Sequence, residues 1–192
     1  MFSLVYLQRV LEQEFGRKEA MKVLYWQGKF QSIQGISIND KKHGYVKKIP
    51  EKIQRMKFIA KQSELTGVGI FELKKIDFEK EHFVITSNSS FAHEYRTFIG
   101  KQDKPIDFFM RGQIVASIEY YLGKECLCIQ TKCIGMGDQY SEYTVRPVDA
   151  WNKEDPLVSD QWVDSFPELK DLAENKKDPY LAYEAKGKED YS

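Results

Sequence analysis

Phe108-Phe109-Met110-Arg111-Gly112-Gln113-Ile114-Val115-Ala116-Ser117-Ile118-Glu119-Tyr120-Tyr121-Leu122-Gly123 is the stretch from which the rest of the chain is best read. Phe108, Phe109, Gly112, Val115, Ala116, Tyr120 and Leu122 recur with few charges between them. This predicts a largely buried helix from about Ile106 to Leu122. Gly123 follows as its C-terminal stop, since a helix commonly ends on a residue that tolerates positive φ. Downstream, Glu125 to Gly135 and Gln139 to Val148 read as two strands of a hairpin around Gly135-Met136-Gly137-Asp138.

Upstream the period changes twice. Leu4, Leu7, Leu11 and Phe15 keep one apolar helical face. Ala20, Val23, Leu24 and Gly28 continue it after a break near Gly16, as far as about Gln34. Gly35 to Gly44, with Asn39-Asp40 and two glycines, reads as a loop. A further helix is expected from Pro50, because proline suits the first helical position, and it carries Ile53, Met56 and Ala60 before ending ahead of Gly67. Val68 to Ile76 and His82 to Thr86 then read as an antiparallel pair. Ser87-Asn88-Ser89-Ser90 is a break and helix cap, and Phe91 to Ile99 a short helix closed by Gly100. Helices, two strands, a helix and two strands predict an α+β fold, an antiparallel sheet packed with helices.

The 192 residues, 42% hydrophobic and 30% charged, suit one folded domain with an appendage. The formal net charge is zero but unevenly spread: from Asp149 onward there are 12 acidic and 6 basic residues, leaving 23 basic and 17 acidic before it. The expected division is therefore a domain over 1–148 and an acidic extension over 149–192. Pro156, Pro167 and Pro179 should make the extension run out, Trp151, Trp162 and Phe166 should pack it on the body, and Lys186 to Ser192 should fray. The body's lysines are spread out apart from Lys41 to Lys48, and no recognition-helix pattern accompanies them, so direct nucleic-acid binding is not expected. No apolar run reaches the ~18 residues of a membrane span. The apolar start, Met1 to Leu7, lacks a basic leader and a cleavage site, and is not read as a secretory signal. Three cysteines, Cys126, Cys128 and Cys133, form no disulfide framework and fit a reducing cytoplasm.

Gly112 to Glu125 followed by Gln130-Thr131-Lys132-Cys133, Gly137-Asp138 and Ser141-Glu142-Tyr143 resembles the 4-vinyl reductase domain family. That family carries a glycine-containing helix, a glycine turn, Glu-x-x-Cys, a Gly-Asp turn and Cys-x-Phe. Asn88-Ser89-Ser90-Phe91-Ala92 is similar to its Asn-Ser-x-x-Ala element, and Val23 to Gly28 to its first-helix signature, so the resemblance covers about residues 4–148. It implies a fold shared with nitric-oxide-sensing and Golgi-transport ligand domains, with an apolar pocket between sheet and helices. It also implies a role as an aromatic-sensing module, a small hydrocarbon-binding protein or an accessory factor of tetrapyrrole reduction. The sensor branch holds zinc through a cysteine ahead of the buried helix, the glutamate and cysteine of Glu-x-x-Cys, and the final cysteine. Read across, these positions are Asp107, Gln130, Cys133 and Ser141, so one thiol survives and no zinc or other cofactor is expected.

Other chemistry is sparse. Cys126 and Cys128 share a strand face, with Cys133 just beyond: a thiolate metal site or, in the plainer reading, small buried hydrophobes. His43, His82 and His93 have no convergent spacing, and Gly135-Met136-Gly137 is too short, and wrongly placed, for a phosphate cradle. The site expected is an apolar pocket of roughly a few hundred Å3, the usual size for ligand cavities. Its expected lining is Trp26, Phe108, Phe109, Gly112, Ala116 and Tyr120, with Phe30, Met110 and Tyr121 nearby; the same aromatics at helical spacing also suit plain core. Three functions follow: a non-catalytic binding or sensing domain for a small apolar ligand, an accessory factor of vinyl reduction, or an assembly scaffold with a filled core. A homodimer through the N-terminal helices is expected, with a protein partner for any regulatory role, because this chain carries no DNA-binding region.

Overall fold

The structure is a computed structural model that describes residues 2–164. Two helices, α1 (Phe2–Phe15) and α2 (Arg17–His43), are followed by α3 (Ile49–Leu65) and the strands β1 (Gly69–Asp77) and β2 (His82–Ser89). Then come α4 (Ser90–Ile99), α5 (Phe108–Leu122), β3 (Cys126–Lys132), β4 (Ser141–Pro147) and a short α6 (Pro156–Asp160). The four strands form one antiparallel sheet in the order β1-β2-β4-β3. The architecture is α+β, as the order of periodicities implied.

Several boundaries differ from expectation: β3 stops at Lys132, Ile134–Met136 forms a 3-10 turn where strand was expected as far as Gly135, and β4 starts at Ser141 instead of Gln139. The segment from Gly35 to Gly44 is not a loop: α2 runs through it to His43 and stops at Gly44, whose φ is 86°. A glycine inside a helix costs roughly 1 kcal/mol relative to alanine. Here the continuing contacts outweigh that, because Ala20, Leu24, Gly28, Ile36 and Asp40 recur at multiples of four and are all buried. Asp40 then meets Arg55 of α3 at 3.0 Å, which ties the last turns of α2 to α3. Likewise the serines at 87 and 89 do not break the strand. β2 continues through them, and Ser89 only then caps α4, its hydroxyl accepting from the Ala92 amide at 3.2 Å.

One face of the sheet carries the core. Leu73, Ile85, Tyr143 and Gln130 stand in one row across the four strands, and Phe83, Val145 and Cys128 in the next. Along β1 the half-buried Phe71 and Leu73 alternate with exposed Ile70, Glu72 and Lys74, the period-2 signature of a sheet covered on one side. α5 lies in the centre of the helical layer, packed on both α2 and β3, while α3 covers β1.

The α2–α5 crossing depends on two glycines. A Cβ on Gly28 would stand 2.1 Å from the Phe109 carbonyl oxygen, and one on Gly112 would stand 1.9 Å from the Tyr25 carbonyl oxygen. Backbone meets backbone there, and only glycine on both helices permits it.

Residues 149–164 lie along β3, the strand at one edge of the sheet. The Trp151 indole donates to the Leu127 carbonyl, and the Gln161 amide pairs with both the N–H and the C=O of Gln130, as a neighbouring strand would. Arg111, fully buried on α5, donates to the carbonyls of Cys128 and Gln161 and stacks over Tyr25. An open strand edge is thereby covered by side chains. Trp151 and Trp162 pack against the core as expected; Phe166, Pro167, Pro179 and Lys186 to Ser192 lie outside the described residues. Among the described residues, no helix is long and apolar enough to cross a membrane.

Candidate ligand site

Helix α3 carries Met56, Ile59, Ala60 and Ser63 on one stripe, and α5 carries Met110, Gln113, Ile114, Ser117 and Ile118 on another. Both sets follow the three- and four-residue steps that put side chains on one helical face. The two stripes face each other across a cleft whose floor is Phe71 and Leu73 of β1 and Ile85 of β2. Its volume is about 150 Å3. Ser32 of α2 reaches the same cleft, its hydroxyl 3.3 Å from that of Ser117. No lining side chain carries a charge; the polar groups are three hydroxyls and the Gln113 amide. A wider recess of about 340 Å3 lies over Ile70, Glu72, Lys74, Thr86, Asn88 and Tyr140. Its walls are mostly polar or charged surface groups, whereas the smaller cleft is walled by core residues.

The six residues expected to line a pocket stand elsewhere on the same scaffold. Phe108 is buried with Met21 and Leu24, with the Arg17 guanidinium 4.8 Å above its ring, and Phe109 packs against the same cluster. Gly112 forms the crossing with Tyr25, and Ala116 is fully buried. Trp26 is half-buried; its indole donates to the Asp164 carbonyl and Lys29 lies over its ring. Tyr120 packs edge-on against Tyr121 at 5.2 Å, and burial together with Asp40 pushes its hydroxyl up to about 12. None of the six lines the cleft. Of the neighbouring candidates, Met110 does. The volume is also below the few hundred Å3 expected. The stripe Met110, Ile114, Ile118 was present in the sequence, but α5 is apolar on nearly every side, so periodicity alone did not tell its void-facing side from its packed side.

The cysteines are buried thiols. Burial pushes Cys126 and Cys128 up to about 12 and Cys133 up to about 11, so all three stay protonated near neutral pH and are poor nucleophiles. His43 is in the last turn of α2, His82 contacts Lys75, and His93 contacts Asn88. Among the described residues no three His, Cys, Asp or Glu side chains are grouped to hold a metal ion.

The four positions that the family resemblance implies for zinc, Asp107, Gln130, Cys133 and Ser141, bear on this directly. Asp107 is fully buried, and its Oδ2 accepts from the Gln130 amide at 2.6 Å, the Tyr143 hydroxyl at 2.7 Å and the Ser141 hydroxyl at 2.9 Å. Burial raises the Asp107 carboxyl above the usual carboxylate range, against the pull of those three donors. The set offers one carboxylate and one thiol beside a neutral amide and a hydroxyl, two good donors where a closed zinc site takes four. The residues present do not fit the metal.

No family model and no curated protein matches this chain. Solved structures do. The phenol-responsive sensory domain of the transcription activator PoxR, in complex with phenol, superimposes with a TM-score of 0.68 at 15% identity, over 84% of this chain and 81% of that one. Subunit 3 of a trafficking protein particle complex from Naegleria fowleri, covalently bound to palmitic acid, gives 0.52 at 18% identity, over 76% and 89%. A vinyl-4-reductase family protein from Methanocaldococcus jannaschii gives 0.46 at 18%, over 77% and 78%. At these identities the likeness is one of fold, and this chain shares the α+β fold of a phenol-responsive sensory domain.

Proposed function

We propose that this domain binds a compact, uncharged and mainly apolar small molecule in the cleft between α3 and α5. The observation that carries the reading is the lining: core side chains from both helices and the sheet around about 150 Å3, with hydroxyls and one amide but no charge. An apolar cavity of about that volume is large enough for a single aromatic ring. An uncharged wall disfavours ions, since burying an unpaired charge costs several kcal/mol or more. The phenol complex of a domain with the same fold supports a ligand of that size. Trp26, Phe108, Phe109, Gly112, Ala116 and Tyr120 enter this reading as the packing that holds α5 in place behind the cleft. In the same reading the domain works in the cytoplasm as a homodimer and passes its state to a protein partner. Supporting the dimer, Leu7, Val10, Phe15 and Val23 of α1 and α2 each leave 40–66% of their surface exposed, apolar surface of the kind that partners cover.

The test is thermal melting of the full chain with toluene, phenol, cyclohexanol, benzoate and laurate. A neutral ring-sized molecule at about a hundredfold excess over its Kd should stabilise by about 2.7 kcal/mol, while benzoate and laurate should not. Replacing Ile114 with Trp should fill the cleft and abolish the shift. If no compound moves the wild-type Tm, the cleft is not a ligand site.

A further inference from the structure

The family pattern and this chain part company at more than the metal positions. Where the pattern ends in Cys-x-Phe, this chain has Ser141-Glu142-Tyr143, so the departures are Asp107 for Cys, Gln130 for Glu, Ser141 for Cys and Tyr143 for Phe. The structure joins these same four residues to one another. Asp107 offers one carboxylate oxygen, and Gln130, Ser141 and Tyr143 each donate to it. The Gln130 amide also reaches the Ser141 hydroxyl at 3.2 Å, and the Asp107 backbone N–H donates to the Gln130 side-chain oxygen at 3.3 Å.

Each departure makes physical sense only beside the others. A glutamate at 130 would set a second buried carboxyl against Asp107 with no cation between them; glutamine removes the charge and adds the donor. A phenylalanine at 143 would take one of the three donors from Asp107 Oδ2, whose companion Oδ1 is already buried without a partner among the described residues. Hydrogen bonds to a charged acceptor are stronger than neutral ones, and a buried acceptor left without them is heavily penalised. The segments joined are those a structural metal would join: the residue preceding α5, strand β3, strand β4, and the turn after β3, whose Ile134 N–H donates to Ser141.

We propose that the Asp107–Gln130–Ser141–Tyr143 set is a metal-free fastener standing where the sensor branch holds its zinc, so that this chain folds and stays folded without metal. The inference does not rest on the ligand reading of the cleft.

Three measurements on the full chain test it. Elemental analysis of protein purified in metal-free buffer should find far less than one zinc per chain, and 1,10-phenanthroline should leave Tm unchanged. Stoichiometric zinc, or a chelator-induced fall in Tm, overturns the proposal. Tyr143→Phe should lower Tm by roughly 5 °C, as expected for one buried charge-assisted hydrogen bond in a chain of this size, and Asp107→Asn by more, because it removes the charge from all three bonds. The double variant should fall clearly short of the sum, because the Tyr143 bond already weakened by Asp107→Asn cannot be lost twice; additive or negligible losses overturn the fastening role. Lastly, D107C/Q130E/S141C/Y143F should take up one cobalt(II) per chain with near-ultraviolet thiolate-to-metal absorption. If that variant folds and binds no metal, positions 107, 130, 133 and 141 are not equivalent to a metal site and the proposal falls. If it does not fold, the chelator and double-variant results decide alone.

Discussion

Helix α5 is packed in two different ways on its two sides, and the contrast shows how the fold separates stability from binding. Toward α2 it is locked backbone to backbone at Gly28 and Gly112, flanked by Phe108 in a sealed cluster and by the Lys29–Glu119 ion pair at 2.8 Å. Toward α3 it presents Ile114 and Ser117 to a cleft that its neighbours do not fill. α3 itself fully buries only Met56, with Ile59 half-buried against the core, and is tied by Arg55 to Asp40 and by Lys52 to the Tyr121 carbonyl. Close packing without voids makes the first side intolerant of change, and incomplete packing makes the second side available to a ligand.

Substitutions can break that contrast, and the greatest effect is expected at the crossing. Gly112→Ala places a methyl where only 1.9 Å separates it from the Tyr25 oxygen, and no side chain can move aside to make room. The helices must part, so a loss of about 3 kcal/mol or more is expected, at the upper end for overpacked sites. Gly28→Ala should behave alike, and the pair should lose less than the sum, because one separation of the helices relieves both clashes. Denaturant melts of the three proteins check this; near-native stability for Gly112→Ala would mean the crossing can open by more than a methyl group without loss.

A second, graded comparison runs through the two faces. Phe108→Ala should cost about 3–5 kcal/mol, the range for a phenylalanine in filled core. Ile114→Ala, at a wall already facing space, should cost well under the usual 2–5 kcal/mol for a buried aliphatic truncation and should weaken ligand binding more than folding. Ala116→Phe belongs with the sealed side and should unfold the domain instead of merely blocking the cleft, since Ala116 is fully buried and away from the lining. Equal losses for Phe108→Ala and Ile114→Ala would erase the distinction between the faces.

The mildest probe leaves the chain unaltered. All three thiols are buried and held protonated, so a thiol reagent at pH 8 should react with none of them within minutes in the native protein and with all three in denaturant. Fast labelling of Cys126 or Cys128 in the native state would show that the sheet opens on the α5 side, which the crossing is expected to prevent.

Much of the architecture was legible beforehand because it depends on local rules. Pro50 near the start of α3, Gly100 and Gly123 after α4 and α5, and the alternation along β1 each follow from conformational preferences that a short window of sequence reveals. Where such rules failed, a distant partner had intervened. Gly35 looks like a loop residue until Ile36 and Asp40 are seen to be held by the core and by Arg55. Phe108 and Phe109 look like pocket walls until α2 is seen to cover them.

The sequence by itself determined the fold class, the order of elements and the largely buried central helix. These are matters of period, caps and side-chain chemistry, which need no knowledge of neighbours. Only the tertiary structure decided which face of α5 meets a void, that Gly28 and Gly112 are spent on the same crossing, and that Asp107, Gln130, Ser141 and Tyr143 meet at one point. An apolar helix carries no mark of which side will be covered, and a polar residue no mark of its partner 23 to 36 positions away. Those choices are made when the elements pack.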